Sequence, residues 1–469
     1  MAINHKSVET FVNNFWDGNI TPTLEEYIRI PALSPDFDDD WQAHGHLQNA
    51  LQLALNWLQR HCPEHWHVIE KKIDDRTPLL LVEIPGVPGD PVLMYGHLDK
   101  QPEMEGWKEG YGPWIPVIND GKLYGRGGAD DGYALFAAVA AIKALEEQQV
   151  PHAPIVILIE FSEESGSPDL PAYLDQCTDI IGSPKLVIAL DSGAGDYDRL
   201  WSTTSLRGML SCVLKVEVLN EATHSGIASG IVPSSMRIAR QLLERLESSS
   251  TGEVLLPELQ PDVPMQRLQQ IEAIAEIIGD DLLLSFNSVP NLCAVSDDPV
   301  ELLLNNTWRP TLCVVGQQGM PAIKDAGNVM RAYTSLKLSF RLPPNIKWRQ
   351  ARQAIEAAIL ADPPYQSRVS IDFDQGGDGW DAPPLADWLQ RACSEASQQY
   401  YGNDAAYFGL GASIPFMAML GDMYPKAQFL ITGVLGPQSN AHGPNEFIHL
   451  AYAKRLTCCI SLILSQTTN

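Results

Sequence analysis

The sequence predicts an α/β protein, a mostly parallel-sheet domain interrupted by an inserted α+β domain of ferredoxin-like type. Three observations predict it. As far as Leu206, short apolar runs bounded by Pro or Gly alternate with helical patterns, an alternation that builds a parallel sheet with helices on both faces. From Arg207 onward the strands lengthen and alternate in polarity, with two amphipathic helices between them. After the turn-rich stretch GGDGWDAPP, residues 376–384, the first texture returns. The expected division is a first domain of residues 1–206 and 379–469 and an insertion of residues 207–378.

Taken in order, VETFVNNFWDGNITPTLEEYIRI and HGHLQNALQLALNWLQRHC carry helical spacing, the second with Leu47, Leu51, Leu55 and Leu58 on one side. PLLLVEIPG, PVLMYGHLD, APIVILIEFSEES and PKLVIALDSG read as buried strands. The alanine-rich helix DDGYALFAAVAAIKALEEQQ lies between the second and third of them. In the insertion, RGMLSCVLKVEVLN, TSLKLSFRLPP and SRVSIDFDQ are strands, and MRIARQLLERLES and KWRQARQAIEAAIL are helices. That order gives a layered domain with helices on one face of an antiparallel sheet. PLADWLQRACSEASQQYYG and AQFLITGVLG then return as helix and strand.

Three buried strands end in residues that ligate metals: His97 and Asp99, Glu163 and Glu164, and Asp191. Ligands of open α/β sheets bind beyond the carboxyl ends of the strands, so these residues converge if the strands are neighbours. Any one acid at a strand end is ordinary. Five carboxylates together, counting Asp130, repel unless cations lie among them or some take up protons. Histidine with several carboxylates is a donor set suited to zinc or manganese. Two residues apart on a strand, His97 and Asp99 share a face, which lets the carboxylate orient the imidazole.

GRGGADDG precedes a helix, yet it fails as a dinucleotide fingerprint: the spacing is not GxGxxG, and Asp130 and Asp131 would repel a phosphate. A helix N-cap for one aspartate and a metal role for the other both remain open. His442, in the loop LGPQSNAHGPNEFI, is the second nitrogen donor that the acid cluster calls for.

Acidic residues outnumber basic ones 58 to 32, giving a net charge of −26, which argues against nucleic acid or an anionic membrane as the main partner. The N-terminal MAINHKSVETFVNNFW has no basic segment leading into an apolar one, and no apolar run reaches about 18 residues. The eight cysteines form no CxxC pair and sit mostly in hydrophobic segments, as in a reducing compartment. A cytoplasmic protein is expected.

YGHLDKQPE, LYGRGGADD, EESGS, ALDSG and NAHGPNE, in that order from Tyr95 to Glu446, together resemble the motifs of the co-catalytic zinc metallopeptidases. That family includes carnosinase, the cytosolic non-specific dipeptidase, glutamate carboxypeptidase and succinyl-diaminopimelate desuccinylase. The resemblance implies two divalent metal ions, zinc or else manganese or cobalt, bridged by Asp130. His97 and Asp191 would complete one site, and Glu164 and His442 the other. It implies Glu163 as general base, with Asp99 orienting His97. It also implies that the insertion is a lid and homodimerisation domain. His224, in EATHSGIASG, would stabilise the oxyanion at a partner's site, while Asn328 and Arg341 would contact substrate, the arginine gripping a terminal carboxylate.

Two departures bear on specificity. Gly132 and Tyr133 follow the aspartate pair where many dipeptidases of the family have lysine and glycine, and the REGGSIP motif reads GLGASIP, residues 409–415, leaving Ser413 and backbone groups for substrate. The expected activity is metal-dependent hydrolysis of an amide bond in a small peptide, of dipeptidase or carboxypeptidase type. An N-acyl amino acid deacylase uses the same metals with a different acyl pocket. A non-catalytic binding protein predicts a missing ligand or base, and none is missing.

Overall fold

A computed structural model describes residues 3–283, 286 and 288–468. The chain forms two compact units, one of residues 1–203, 382–408 and 419–469, the other of residues 204–381 and 409–418.

The first unit is built on a mixed sheet. Its strands run in the spatial order His67–Lys71, Leu79–Ile84, Ile155–Glu160, Val92–His97, Leu186–Ala189 and Gln428–Ile431, after which Trp201–Leu206 begins in this unit and ends in the other. The four strands from Ile155–Glu160 to Gln428–Ile431 pair in parallel, and the flanking pairs are antiparallel. Sequence texture cannot separate the two arrangements here. Leu79–Ile84 is buried along nearly its whole length, as are Val92–His97 and Ile155–Glu160, so all three read as continuous apolar runs.

Register sets up the site. Val92 lies opposite both Ile155 and Leu186, and His97 opposite Glu160, so the three strands release their chains on the same rim of the sheet. The crossover helix Ala134–Glu146 packs on this sheet and against helices His5–Phe15 and Leu450–Ser465. Enclosure on several sides explains why a helix so rich in alanine is buried nearly throughout.

In the second unit a four-stranded antiparallel sheet has the order Thr311–Gln318, Tyr333–Leu342, Gly208–Glu217, Arg368–Gly377. Helices Ser235–Leu243 and Trp348–Leu360 pack on it in a β-α-β-β-α-β succession. Leu210, Cys212, Leu214, Leu338, Phe340, Ile238 and Ile355 form its core, the apolar half of each alternating strand meeting the apolar faces of the helices. Gly409–Ala418 packs with this unit although its neighbours in the chain belong to the first. Among the described residues, no helix is long and apolar enough to cross a membrane.

Candidate metal centre

Five segments at the carboxyl rim of the first unit's sheet bring seven of the singled-out residues together. His97 ends its strand and Asp99 follows at once; Glu163 and Glu164 begin a short turn after Ile155–Glu160; Asp191 follows Leu186–Ala189. Asp130 comes from the glycine-rich turn before the crossover helix, and His442 from the loop after Gln428–Ile431.

Two groups of three share Asp130: His97, Asp130 and Asp191, and Asp130, Glu164 and His442, with the ligating atoms of each within 4.8 Å of one another. Asp130 offers one oxygen to each group. Its Oδ1 lies 3.4 Å from His97 Nε2 and its Oδ2 lies 3.0 Å from His442 Nε2. Asp191 Oδ2 is 3.9 Å from His97 Nε2, and Glu164 Oε2 is 3.3 Å from His442 Nε2.

His97 is oriented on its other side. Its Nδ1 lies 3.1 Å from the Asp99 backbone oxygen and 3.3 Å from Asp99 Oδ1, so when the ring is neutral Nδ1 carries the hydrogen and Nε2 the lone pair. That Nε2 is buried without a hydrogen-bond partner. An unspent nitrogen facing two carboxylates fits a cation ligand.

The electrostatics point the same way. Burial, then repulsion from Asp130, pushes the Asp191 carboxyl up to about 7. Burial and Asp191 raise Glu163 well above the usual carboxylate range, and burial and Asp130 raise Glu164. Burial works to lower both histidines, but Asp130 and Asp99 hold His97 well above its ordinary value, and Asp130 and Glu164 lift His442 to about 11. Burial opposes ionisation of Asp130 too, yet the two histidines keep it well below the usual range. Without a cation the cluster holds protons; a divalent ion removes the need for them.

Several contacts escape sequence reasoning. The Asp99 carboxylate accepts from the backbone N–H of Glu163 at 3.1 Å and of Glu164 at 2.9 Å, so it organises the acidic turn as well as facing His97. Asp131 caps no helix: its Oδ2 accepts from the His97 backbone N–H at 3.3 Å. Only glycine at 96 permits this, since a Cβ there would stand 2.7 Å from that oxygen. Gln101 Nε2 donates to Glu164 Oε2 at 2.7 Å, and its place two residues beyond Asp99 was the one available signal. The Tyr133 hydroxyl, where the family pattern has glycine, donates to the backbone oxygen of Leu190 beside Asp191.

The remaining residues lie in the second unit as two pairs. His224 is exposed, its Nδ1 accepting from the Gly226 N–H at 3.1 Å, and it pairs with Val329 beside Asn328 in a two-stranded ribbon. The Asn328 backbone oxygen accepts from Ser225 at 2.9 Å. Arg341 Nη1 donates to Ser413 Oγ at 2.9 Å, and Ser413 in turn donates to the Arg207 backbone oxygen at 2.6 Å.

Residues 93–466 match the model of peptidase family M20/M25/M40. The sequence is 24% identical over 389 residues to cysteinylglycine-S-conjugate dipeptidase of Corynebacterium striatum, covering 81% of this chain and 83% of that protein. It is 27% identical over 391 residues to human Beta-Ala-His dipeptidase, covering 79% and 74%. The solved structure of the di-peptidase Dug1p from Saccharomyces cerevisiae superposes with a TM-score of 0.77 at 20% identity, covering all of both chains.

Proposed function

The chain belongs to peptidase family M20/M25/M40 and is a metallopeptidase, and from that premise we propose that it is a dipeptidase acting through two divalent ions, zinc or else manganese or cobalt. The observation that carries this reading is the pair of three-residue groups sharing Asp130. His97 and Asp191 would hold one ion and Glu164 and His442 the other, with Asp130 bridging. When bound, such ions polarise the scissile carbonyl and lower the pKa of the attacking water.

The chain's own residues supply the proton traffic. Glu163 belongs to neither group, so its carboxylate is free to accept a proton from water and return it to the departing amine nitrogen. Burial and the nearby Asp191 raise its proton affinity, so it holds a proton taken from water more firmly than a solvent-exposed carboxylate would. Arg341 is proposed to hold the substrate's terminal carboxylate, with Ser413 fixing its guanidinium and Asn328 contacting the substrate. His224 is proposed to donate to the oxyanion at a partner's site.

Dipeptidase action, rather than deacylation of N-acyl amino acids, is favoured by the activities of the relatives and is read directly with a panel of dipeptides and acylated amino acids. Turnover of acylated amino acids alone would reverse that choice. Glu163→Gln is expected to lower kcat by about 10²–10⁴-fold with metal content unchanged. Retained turnover would remove Glu163 from the role of base.

The second unit is proposed as the lid and dimerisation module. Thr311–Gln318 is an edge strand of its sheet with Val314 50% and Val315 62% exposed, the kind of edge that pairs with another chain. A dimer is expected in sedimentation of the active enzyme; a fully active monomer would exclude it. All eight cysteines are free and five are buried, which supports a cytoplasmic setting.

A further inference from the structure

Behind the two groups of ligands lies a buried ion pair that the chemistry above does not use. Arg126 Nη1 donates to Glu446 Oε2 at 2.5 Å, and both side chains are inaccessible, at 1% and 0% exposure. The pair's other polar atoms are spent on segments that carry ligands. Glu446 Oε1 accepts from the backbone N–H of Gly127 at 2.9 Å and of Ala129 at 3.4 Å, and Ala129 immediately precedes Asp130. Arg126 Nη2 donates to the oxygen of Gly443 at 2.9 Å, and Gly443 immediately follows His442. Arg126 Nε donates to the oxygen of Pro102 at 3.1 Å, three residues beyond Asp99. A backbone bond from Gly125 to Glu446 and the pairing of Tyr124 with Phe447 complete the junction.

Asp130 and His442 are thus each one residue from an atom the pair holds, and their ligating atoms face each other at 3.0 Å. His97 and Asp191 depend instead on the ends of central strands, and Glu164 on the turn fixed by Asp99. A buried ion pair is a weak source of stability compared with apolar packing, but its directional bonds fix the segments it joins.

We propose that Arg126 and Glu446 are positioning residues that set the distance between Asp130 and His442, and thereby the affinity for the cation held by Asp130, Glu164 and His442. The inference rests on the two-cation reading above. It assigns the pair to the site that takes two of its residues, Asp130 and His442, from segments the pair holds; the other site shares Asp130 but takes His97 and Asp191 from strand ends the pair does not hold.

The test is a cobalt(II) titration of metal-free full-length protein, followed by visible absorption and bound-metal stoichiometry. Arg126→Met/Glu446→Leu removes both charges and so leaves neither buried alone. Wild type is expected to bind two ions. The double variant is expected to lose about 10–100-fold in one affinity, the loss seen for groups that orient ligands, and clearly less in the other, which shares only Asp130 with the held segments. Hydrolysis should return as metal concentration is raised. A folded variant with both affinities unchanged overturns the proposal, as does an equal loss at both sites, which marks a merely structural role. Should the double variant not fold, Glu446→Asp keeps the charge, shortens the reach and is judged by the same two affinities. A wild type that binds a single ion would overturn the two-cation reading and this inference with it. Two ions in wild type with an unmoved variant would overturn the inference alone.

Discussion

Asp130 is where the charges of the site meet: each oxygen faces one histidine, and the surrounding carboxylates raise one another's proton affinity. This has a consequence in solution. With His442 lifted to about 11 and Asp191 to about 7, the metal-free site carries protons at neutral pH. Metal ligation requires the neutral imidazole and the ionised carboxyl, so binding expels those protons. Because each raised group is more protonated at lower pH, metal affinity falls as pH falls, by about one decade per pH unit for each proton displaced. Zinc added to metal-free protein in weak buffer is expected to acidify the solution. Affinity independent of pH between about 6 and 8, with no proton release, would contradict the charge balance described.

At the scale of elements, the sheet register places the candidate ligands and glycines keep the approach open. A Cβ at position 96 would stand 2.6 Å from the Ala134 side chain and 2.7 Å from Asp131 Oδ2. Gly96→Ala is therefore expected to destabilise the protein by about 1–3 kcal/mol, the usual cost of overpacking, and to weaken metal binding by shifting His97. Thermal unfolding reads the first effect and metal titration the second; an unchanged midpoint would show that the sheet and crossover helix can separate freely. The convergence of these strand ends was legible because their apolar runs stop abruptly at His97, Glu163 and Asp191. The antiparallel flank was not, since a strand covered on both faces is apolar whichever way its neighbour runs. Asp131 was open to a capping reading because its partner is a backbone N–H 34 residues earlier. Arg126 and Glu446, 320 residues apart, both lie in the motifs that carry the family resemblance, yet only the fold pairs them. Ser413 sits in a stretch whose texture matches its chain neighbours, and packing alone assigns it to the second unit.

For the whole molecule, candidate ligands from residue 97 to residue 442 come to one rim because the first unit is assembled from both ends of the chain around an insertion. The net charge of −26 is not concentrated in the site: of the 58 acidic residues, most lie outside the acids gathered around Asp130. The most direct measurement is dipeptide hydrolysis by the purified protein before metal stripping, after it, and after readdition of zinc, manganese or cobalt. The shared-aspartate centre predicts that hydrolysis disappears with the metal and returns with about two ions bound per chain. Undiminished hydrolysis by stripped protein, or none by protein with both ions bound, would contradict it.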